Sequence, residues 1–408
     1  MAISTFTWLD HREDDAQRLR EALGAFDEKG MIDPLGVGPV RDAFSDMLFP
    51  GISTIQTRAR YFLLVPWIYR SLDTDGISPQ DGARVARERE LAVIESLLRG
   101  SDDHDGIIGR FARQATKQLP SFVYWGGLGT WGIRRFDGTR ADYVASLDAR
   151  RRRRRWAETP DGEPAASEAQ PWHAGLPPAP TDLFDSTTLA LTGDEALFLQ
   201  GRVLDSAPAT HLALLLRHGS SADHGDMPWD HPLARSAPPN IQRQLHHASL
   251  FSLAWWGAGL LYNQELSRLL EQDGGNPLPV DYRAALDTWS DEMARRGAEL
   301  ANWDRANFWR LVNGENPYVA TPVRHFVDWW LDVATERPRD IATSHQVRDD
   351  LRQREAAIKG PRAKLANRRA RERAPGAQGD VQLGFRWRQV TRIVGDVQRG
   401  LEDDAQPA

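Results

Sequence analysis

Residues 248–262 form the longest apolar run in the chain, from Ala248 to Tyr262 without a charged side chain. A bilayer-spanning helix needs roughly 18 to 20 such residues, so the run is too short to cross a membrane, and it follows directly on His246 and His247. It predicts a buried core helix, the centre of a longer helical stretch over 242–270. Tryptophans at 255, 256, 289, 303, 309, 329 and 330 lie in or after this stretch and predict an aromatic-rich core.

Helical spacing dominates elsewhere too. Over 10–26, Ala16, Leu19, Leu23 and Phe26 recur at the spacing of an amphipathic helix. Pro39 suits the first turn of a short helix ending at Leu48, before Pro50 and Gly51. Ser53 or Thr54 is expected to cap a helix carrying Ile55, Ala59, Phe62 and Leu63, which Pro66 should kink or end. Another helix is expected over 78–98. From Arg150 to Arg155 the chain is unbroken arginine, and 157–180 is rich in Pro, Ala, Glu and Gly with little apolar periodicity. The fold class is therefore mainly α, with two helical domains or subdomains, a disordered linker and a basic helical C-terminal tail. The segments are 1–149, an N-terminal helical domain; 150–180, the arginine run and Pro/Ala-rich linker; 181–336, the Trp-rich helical domain; and 337–408, the basic helical C-terminal region. At roughly 100 to 200 residues per domain, 408 residues suffice for two.

There is no cysteine, which excludes disulfides, thiolate zinc sites, iron–sulfur clusters and cysteine nucleophiles. The start, Met1-Ala2-Ile3-Ser4-Thr5, lacks the basic and apolar segments of a secretory signal, so a cytoplasmic location without membrane contact is expected. The net charge is −6, but only Lys29, Lys117, Lys359 and Lys364 are lysines among 51 basic residues. Arginine abundance of this kind fits coding bias in a GC-rich genome, so distribution is more informative than the total. Between Arg337 and Arg399, sixteen basic residues face seven acidic ones, a local +9 against −15 for the remainder.

Gly127-Leu128-Gly129-Thr130-Trp131-Gly132 fits a dinucleotide fingerprint, but no helix is expected to open after it and no alternating strand–helix pattern surrounds it. A tight glycine–aromatic turn packed on core aromatics is the preferred reading. The loop with Asp223, His224, Asp226, Asp230 and His231 holds metal-capable groups without ligand spacing, and no metal or cofactor is expected. The chain has no G-x-x-x-x-G-K-[ST], no H-E-x-x-H and no G-x-S-x-G. Arg41, Gln56, Arg58 and Arg60 sit among Phe44, Leu48, Phe49 and Phe62. They form either an internal arginine–aspartate network or an anion pocket in which guanidinium groups grip phosphate. In the C-terminal region Lys359, Arg362, Lys364, Arg368, Arg369, Arg386, Trp387 and Arg388 are the nucleic-acid-binding candidates. Cations would neutralise phosphates there and an aromatic ring would stack on a base. A basic helix docked on acidic surface of the same chain, or on an acidic partner, is the competing account. What separates these readings is whether the two arginine groups converge on one open cleft.

The run Leu35-Gly36-Val37-Gly38, Arg41-Asp42-Ala43-Phe44, and Leu48 through Phe62, extended by Tyr124-Trp125 and by Gly129 through Phe136, resembles the bacterial Domain of Unknown Function 6361 family. The N-terminal resemblance spans about 100 residues, and Phe385-Arg386-Trp387 is similar as well. It implies no mechanism. It does imply a neighbourhood of helicases and phospholipase-D-like nucleases in phage defence, and so raises the weight of DNA or RNA, or of a nuclease or helicase protein, as partner. The expected function is a non-enzymatic accessory protein of a bacterial anti-phage defence system that binds nucleic acid or such a partner. The alternative is a phosphodiesterase or nuclease with a phosphate site at Arg41, Gln56, Arg58 and Arg60.

Overall fold

The first turns of the helices are set by side chains and prolines that deal with amides lacking a partner inside the helix. The structure, a computed structural model, describes residues 33–157, 170–220, 222, 225–373 and 376–405. The helix expected over 10–26 lies outside them. Before α1 (Gly38–Leu48), the Asp33 carboxylate accepts from the amides of Leu35, Gly36 and Gly38 at 3.2, 2.7 and 2.6 Å. After α2 (Tyr61–Thr74), α3 (Pro79–Gly100) opens on a Ser78 cap and a proline, and α4 (Pro120–Thr130) on a proline. A reciprocal capping box of Thr139 and Asp142 starts α5 (Arg140–Ala145), which leads to α6 (Leu147–Ala157), and a second box of Thr192 and Glu195 starts α7 (Gly193–Ser206). Thr210 caps α8 (His211–His218) and His231 caps α9 (Pro232–Ser236). Then come α10 (Pro239–Gln272), α11 (Tyr282–Arg295), α12 (Gly297–Ala301), α13 (Arg305–Glu315) and α14 (Thr321–Glu336). The last are α15 (His345–Lys359), α16 (Arg368–Arg373) and α17 (Trp387–Ala405). The fold is mainly α: among the described residues there is no strand, only an antiparallel bridge between Arg134 and Trp172. No helix among them is long and apolar enough to cross a membrane.

Two compact units divide the chain at Phe44/Ser45, Leu245/His246 and Leu383/Gly384. Unit I holds the described residues up to Phe44 together with His246–Leu383; unit II holds Ser45–Leu245 and the chain from Gly384 onward. Each is thus discontinuous in sequence, whereas the four segments read from composition were continuous.

In unit I the 248–262 run is the buried helix that its composition predicted. Tryptophan side chains bind to it through their one polar atom. Trp289 and Trp330 donate indole N–H groups to the carbonyls of Leu253 and Ala254, both at 2.8 Å, and Trp256, on the helix itself, donates outward to Asp380 O at 2.9 Å. A buried indole needs such an acceptor. Gly257 is required by this packing, since a Cβ there would lie 2.4 Å from the Trp289 ring. His247 is buried and accepts from the Trp303 indole at 2.7 Å, while its neighbour His246 is about half exposed. That divergence is what adjacent positions on a helix impose.

Unit II departs from several expectations. The helix predicted from Ser53 starts only at Tyr61, because residues 51–60 form a loop whose polar groups are bonded to distant residues. Pro66 lies inside α2, which continues through Thr74. One lost backbone bond is offset there by burial of every residue from Tyr61 to Tyr69. The glycine fingerprint ends a helix instead of opening one: Gly127 and Gly129 lie in α4 and Gly132 follows it at φ +63°. A Cβ on Gly127 would meet Gly51 O at 2.3 Å, so glycine admits the loop before α2 against α4. The arginine run is helical, in α6. Arg150 pairs with Asp73 at 3.0 Å and lies 4.0 Å from the Tyr143 ring centre, while Arg152 to Arg155 are exposed. Of the expected linker, 158–169 lies outside the described residues. Within 170–180, Trp172 and Leu176 are buried; Trp172 donates to Tyr143 Oη at 2.9 Å and is flanked by backbone bonds to Ile133 and Arg135.

Candidate functional site

The C-terminal helix α17 is amphipathic, with Val390, Ile393, Val394 and Val397 buried and arginines at 388, 392 and 399 spaced i, i+4, i+11 along another face. Its apolar face packs on α7 and α8. The arginine face lines an open cleft of about 610 Å³ in unit II. Arg58 enters the same cleft from the loop before α2, and Asp103 and Asp105 from the loop after α3. One arginine of the N-terminal cluster and part of the basic C-terminal region therefore converge.

Arg58 is positioned by its surroundings. The Tyr124 hydroxyl accepts from the amides of Thr57 and Arg58 at 2.8 and 3.0 Å and donates to Arg58 O at 2.8 Å, which holds the loop. Arg58 Nε then donates to both Asp396 oxygens at 2.9 and 3.1 Å, and Nη1 to Asp105 O at 3.2 Å. Gly106, at φ +81°, leaves room for the Arg58 stem, which a Cβ would meet at 2.6 Å. Asp396 is buried and also accepts from Ala59 N at 2.9 Å and from Arg399 at 2.6 Å. Arg392 pairs with Asp105 at 3.0 Å. Carboxylates thus hold Arg58, Arg392 and Arg399 in fixed orientations at a partly solvated wall, an arrangement suited to gripping phosphate or carboxylate oxygens. Among the described residues the lining carries four arginines and two aspartates, with Asp396 behind them.

Trp387 forms the cleft's buried end. It is 5% exposed, donates to Gly225 O at 2.7 Å, and stacks on His211 at 6.1 Å and 17°. That burial removes it as the base-stacking ring expected from sequence. His211, enclosed by Phe49, Trp387 and His231, is pushed down to about 3 by burial and then by the nearby His231, so it is neutral at physiological pH. Immediately before α17, Phe385 and Arg386 both have positive φ, 49° and 67°. Arg386 is held there by Asp46 at 2.5 Å and Ile52 O at 2.6 Å, so its guanidinium anchors the helix start. Arg388 is exposed.

The other sequence candidates are distributed differently. Gln56 is buried, donating to Gly51 O at 3.0 Å and accepting from Ser53 N at 3.1 Å. Arg60 is buried against Glu195 and Thr188 O, both at 2.8 Å. Arg41 belongs to unit I and pairs with Asp42 at 3.0 Å. Within unit II, then, Gln56 and Arg60 are enclosed while Arg58 lines the cleft. Lys359, Arg362, Lys364, Arg368 and Arg369 also lie in unit I. Lys364 is buried with Nζ on Gly376 O at 3.1 Å, which takes it off any surface a strand could touch. Lys359 is held near Glu355 at 3.7 Å, its ammonium pushed down by burial. Arg368 pairs with Glu372 at 2.9 Å but is 62% exposed, and Arg362 and Arg369 are exposed. Sequence reasoning missed Arg392, Arg399 and Asp396; the arginines recurring at helical spacing after Trp387 were the available signal. Of the metal-capable loop, Asp223 and His224 lie outside the described residues, and among those described no three such groups cluster.

No curated protein and no solved structure matches the chain. A family model does, over residues 3–400, and covers both the residues that carried the resemblance and those that line the cleft. The chain belongs to the family of unknown function DUF6361.

Proposed function

We propose that this protein is a non-catalytic, nucleic-acid-binding accessory protein, acting in the phage-defence setting that its resemblance implies, and that the unit II cleft holds backbone phosphates. One observation carries the reading: Arg58, Arg388, Arg392 and Arg399 line one open cleft although they come from opposite ends of the chain. Guanidinium groups oriented by carboxylates lose little conformational entropy on meeting a phosphate, and their planar forks match its oxygens. The carboxylates also oppose a polyanion, so affinity should be modest and fall steeply with salt.

The test is fluorescence anisotropy with a labelled oligonucleotide across a salt series. Each phosphate contact contributes about 0.7 to 0.9 to the slope of log affinity against log salt. Arg388→Gln with Arg392→Gln should lower the slope by about 1.5 and weaken binding. Arg362→Gln with Arg369→Gln, in unit I, should change it less. Competition by a mononucleotide at the concentration of oligonucleotide phosphate would point to a small-molecule site. Undetectable oligonucleotide binding at low salt would refute the reading and leave a nuclease or helicase protein as the partner to test.

A further inference from the structure

The loop joining α3 to α4 carries a second exposed feature beside the cleft. Its backbone is fixed at many points. Thr57 Oγ1 donates to Gly106 O at 2.7 Å, Ile108 N donates to Tyr61 Oη at 2.9 Å, and Arg113 N donates to Gly109 O at 2.7 Å. Ile107 and Thr116 are buried. Gly109, at φ +80°, is needed there because a Cβ would lie 2.5 Å from Thr116 Oγ1. Yet this rigid loop leaves the Phe111 ring 88% exposed. Burying such a ring would be favourable, and the loop's backbone bonds do not depend on its exposure.

Phe111 is joined to the cleft by consecutive contacts. The Arg110 guanidinium lies 4.5 Å from the ring centre, Arg110 approaches Asp105 at 3.7 Å, and Asp105 lines the cleft while pairing with Arg392 at 3.0 Å. The positions flanking the ring along the chain are Arg110, Ala112, Arg113 and Gln114, a polar and cationic stretch rather than an apolar one. An exposed, rigidly mounted aromatic ring with a guanidinium beside it, linked to the arginine-lined cleft, matches the combination that holds unpaired bases: a ring for the base face and cations for the backbone. A base within a duplex has no face to offer it.

We propose that Phe111 is a base-stacking platform and that the ligand of the cleft is single-stranded nucleic acid. This rests on the phosphate reading of the cleft. The test uses the full chain, a labelled 20-nucleotide oligo(dT) and a 20-base-pair duplex in anisotropy titrations at low salt. The wild-type protein should bind oligo(dT) more tightly than the duplex. Phe111→Ala should weaken oligo(dT) binding by about tenfold, leave the duplex affinity and salt slope unchanged, and retain the wild-type circular dichroism, since the ring packs on little. Phe111→Trp should restore tight binding. Equal affinity for the two probes, or a Phe111→Ala variant unchanged on oligo(dT), would overturn the stacking proposal. If Arg388→Gln with Arg392→Gln still lowers the salt slope in that case, only the stacking proposal falls. If that pair of substitutions changes nothing, the phosphate reading falls with it. Binding of anionic lipid vesicles that depends on Phe111, without oligo(dT) binding, would assign the ring to a membrane surface and overturn the proposal.

Discussion

Glu90 offers a sharp physical test of unit II. It is 1% exposed on α3, and its carboxyl accepts from Ser121 N and Ser121 Oγ, both at 2.8 Å, at the first turn of α4. Burial pushes the carboxyl up to about 7, against the opposing effects of the Ser121 bonds and of Arg140 and Arg87. The ordinary value is 4.5. Below it both states hold the proton. Between it and 7 the folded chain keeps a proton that the unfolded chain has lost, so stability falls as pH rises. Above 7 both states are ionised and the dependence ends. That gap corresponds to roughly 3 kcal/mol, most of which falls between pH 5 and pH 8. Glu90→Gln, with nearly the same shape, has no such dependence. Urea unfolding of both chains at pH 5 and pH 8 should show the variant gaining roughly 2 to 3 kcal/mol relative to the wild type over that interval. By thermal melting the relative gain should be roughly 5 to 10 °C. Comparing the two chains cancels the titrations they share. A difference independent of pH would refute the account, and a relative loss at high pH would mean that Glu90 is ionised and held by its partners.

Three further expectations follow from single contacts. Gly51→Ala places a Cβ 2.5 Å from Trp131 Nε1 at φ +81°, threatening the indole's bond to Pro50 O; a loss of roughly 2 to 3 kcal/mol is expected in urea unfolding, against about 1 kcal/mol for Gly132→Ala, which has positive φ but open space. In unit I, Glu355 is fully buried and accepts from Tyr262 Oη at 2.7 Å and from the amides of Lys364 and Leu365 at 3.1 and 2.8 Å. Glu355→Gln turns an amide donor toward those donors and should cost about 3 kcal/mol by the same assay. Asp105→Asn removes a half-exposed carboxylate that competes with a bound phosphate. At roughly 7 Å and an effective dielectric of roughly 60, that charge is worth about 0.8 kcal/mol, so oligonucleotide binding should tighten about fourfold at low salt with a stability change under about 1 kcal/mol.

Much of the secondary structure was legible because its determinants are local. Ser78 before Pro79, and the helical spacing of apolar residues in α3 and α10, are readable within one or two turns of chain. The failures are places where distant partners override local preference. Residues 51–60 have a helical pattern but are held as a loop by Tyr124 and Asp396. The Pro/Ala-rich segment after Gln170 lacks periodicity but is docked through Trp172.

The same distinction governs the candidate site. The basic, helical C-terminal region and its local +9 were determined by sequence alone, because charge density is a property of a continuous segment. Which arginines could meet a ligand was decided only by tertiary structure. Arg58 and Arg60 are two residues apart, yet Arg60 is enclosed with Glu195 while Arg58 reaches an open cleft and pairs with Asp396, 338 positions away. A buried charge needs a partner wherever the fold brings one, and no local pattern records which distant carboxylate that is.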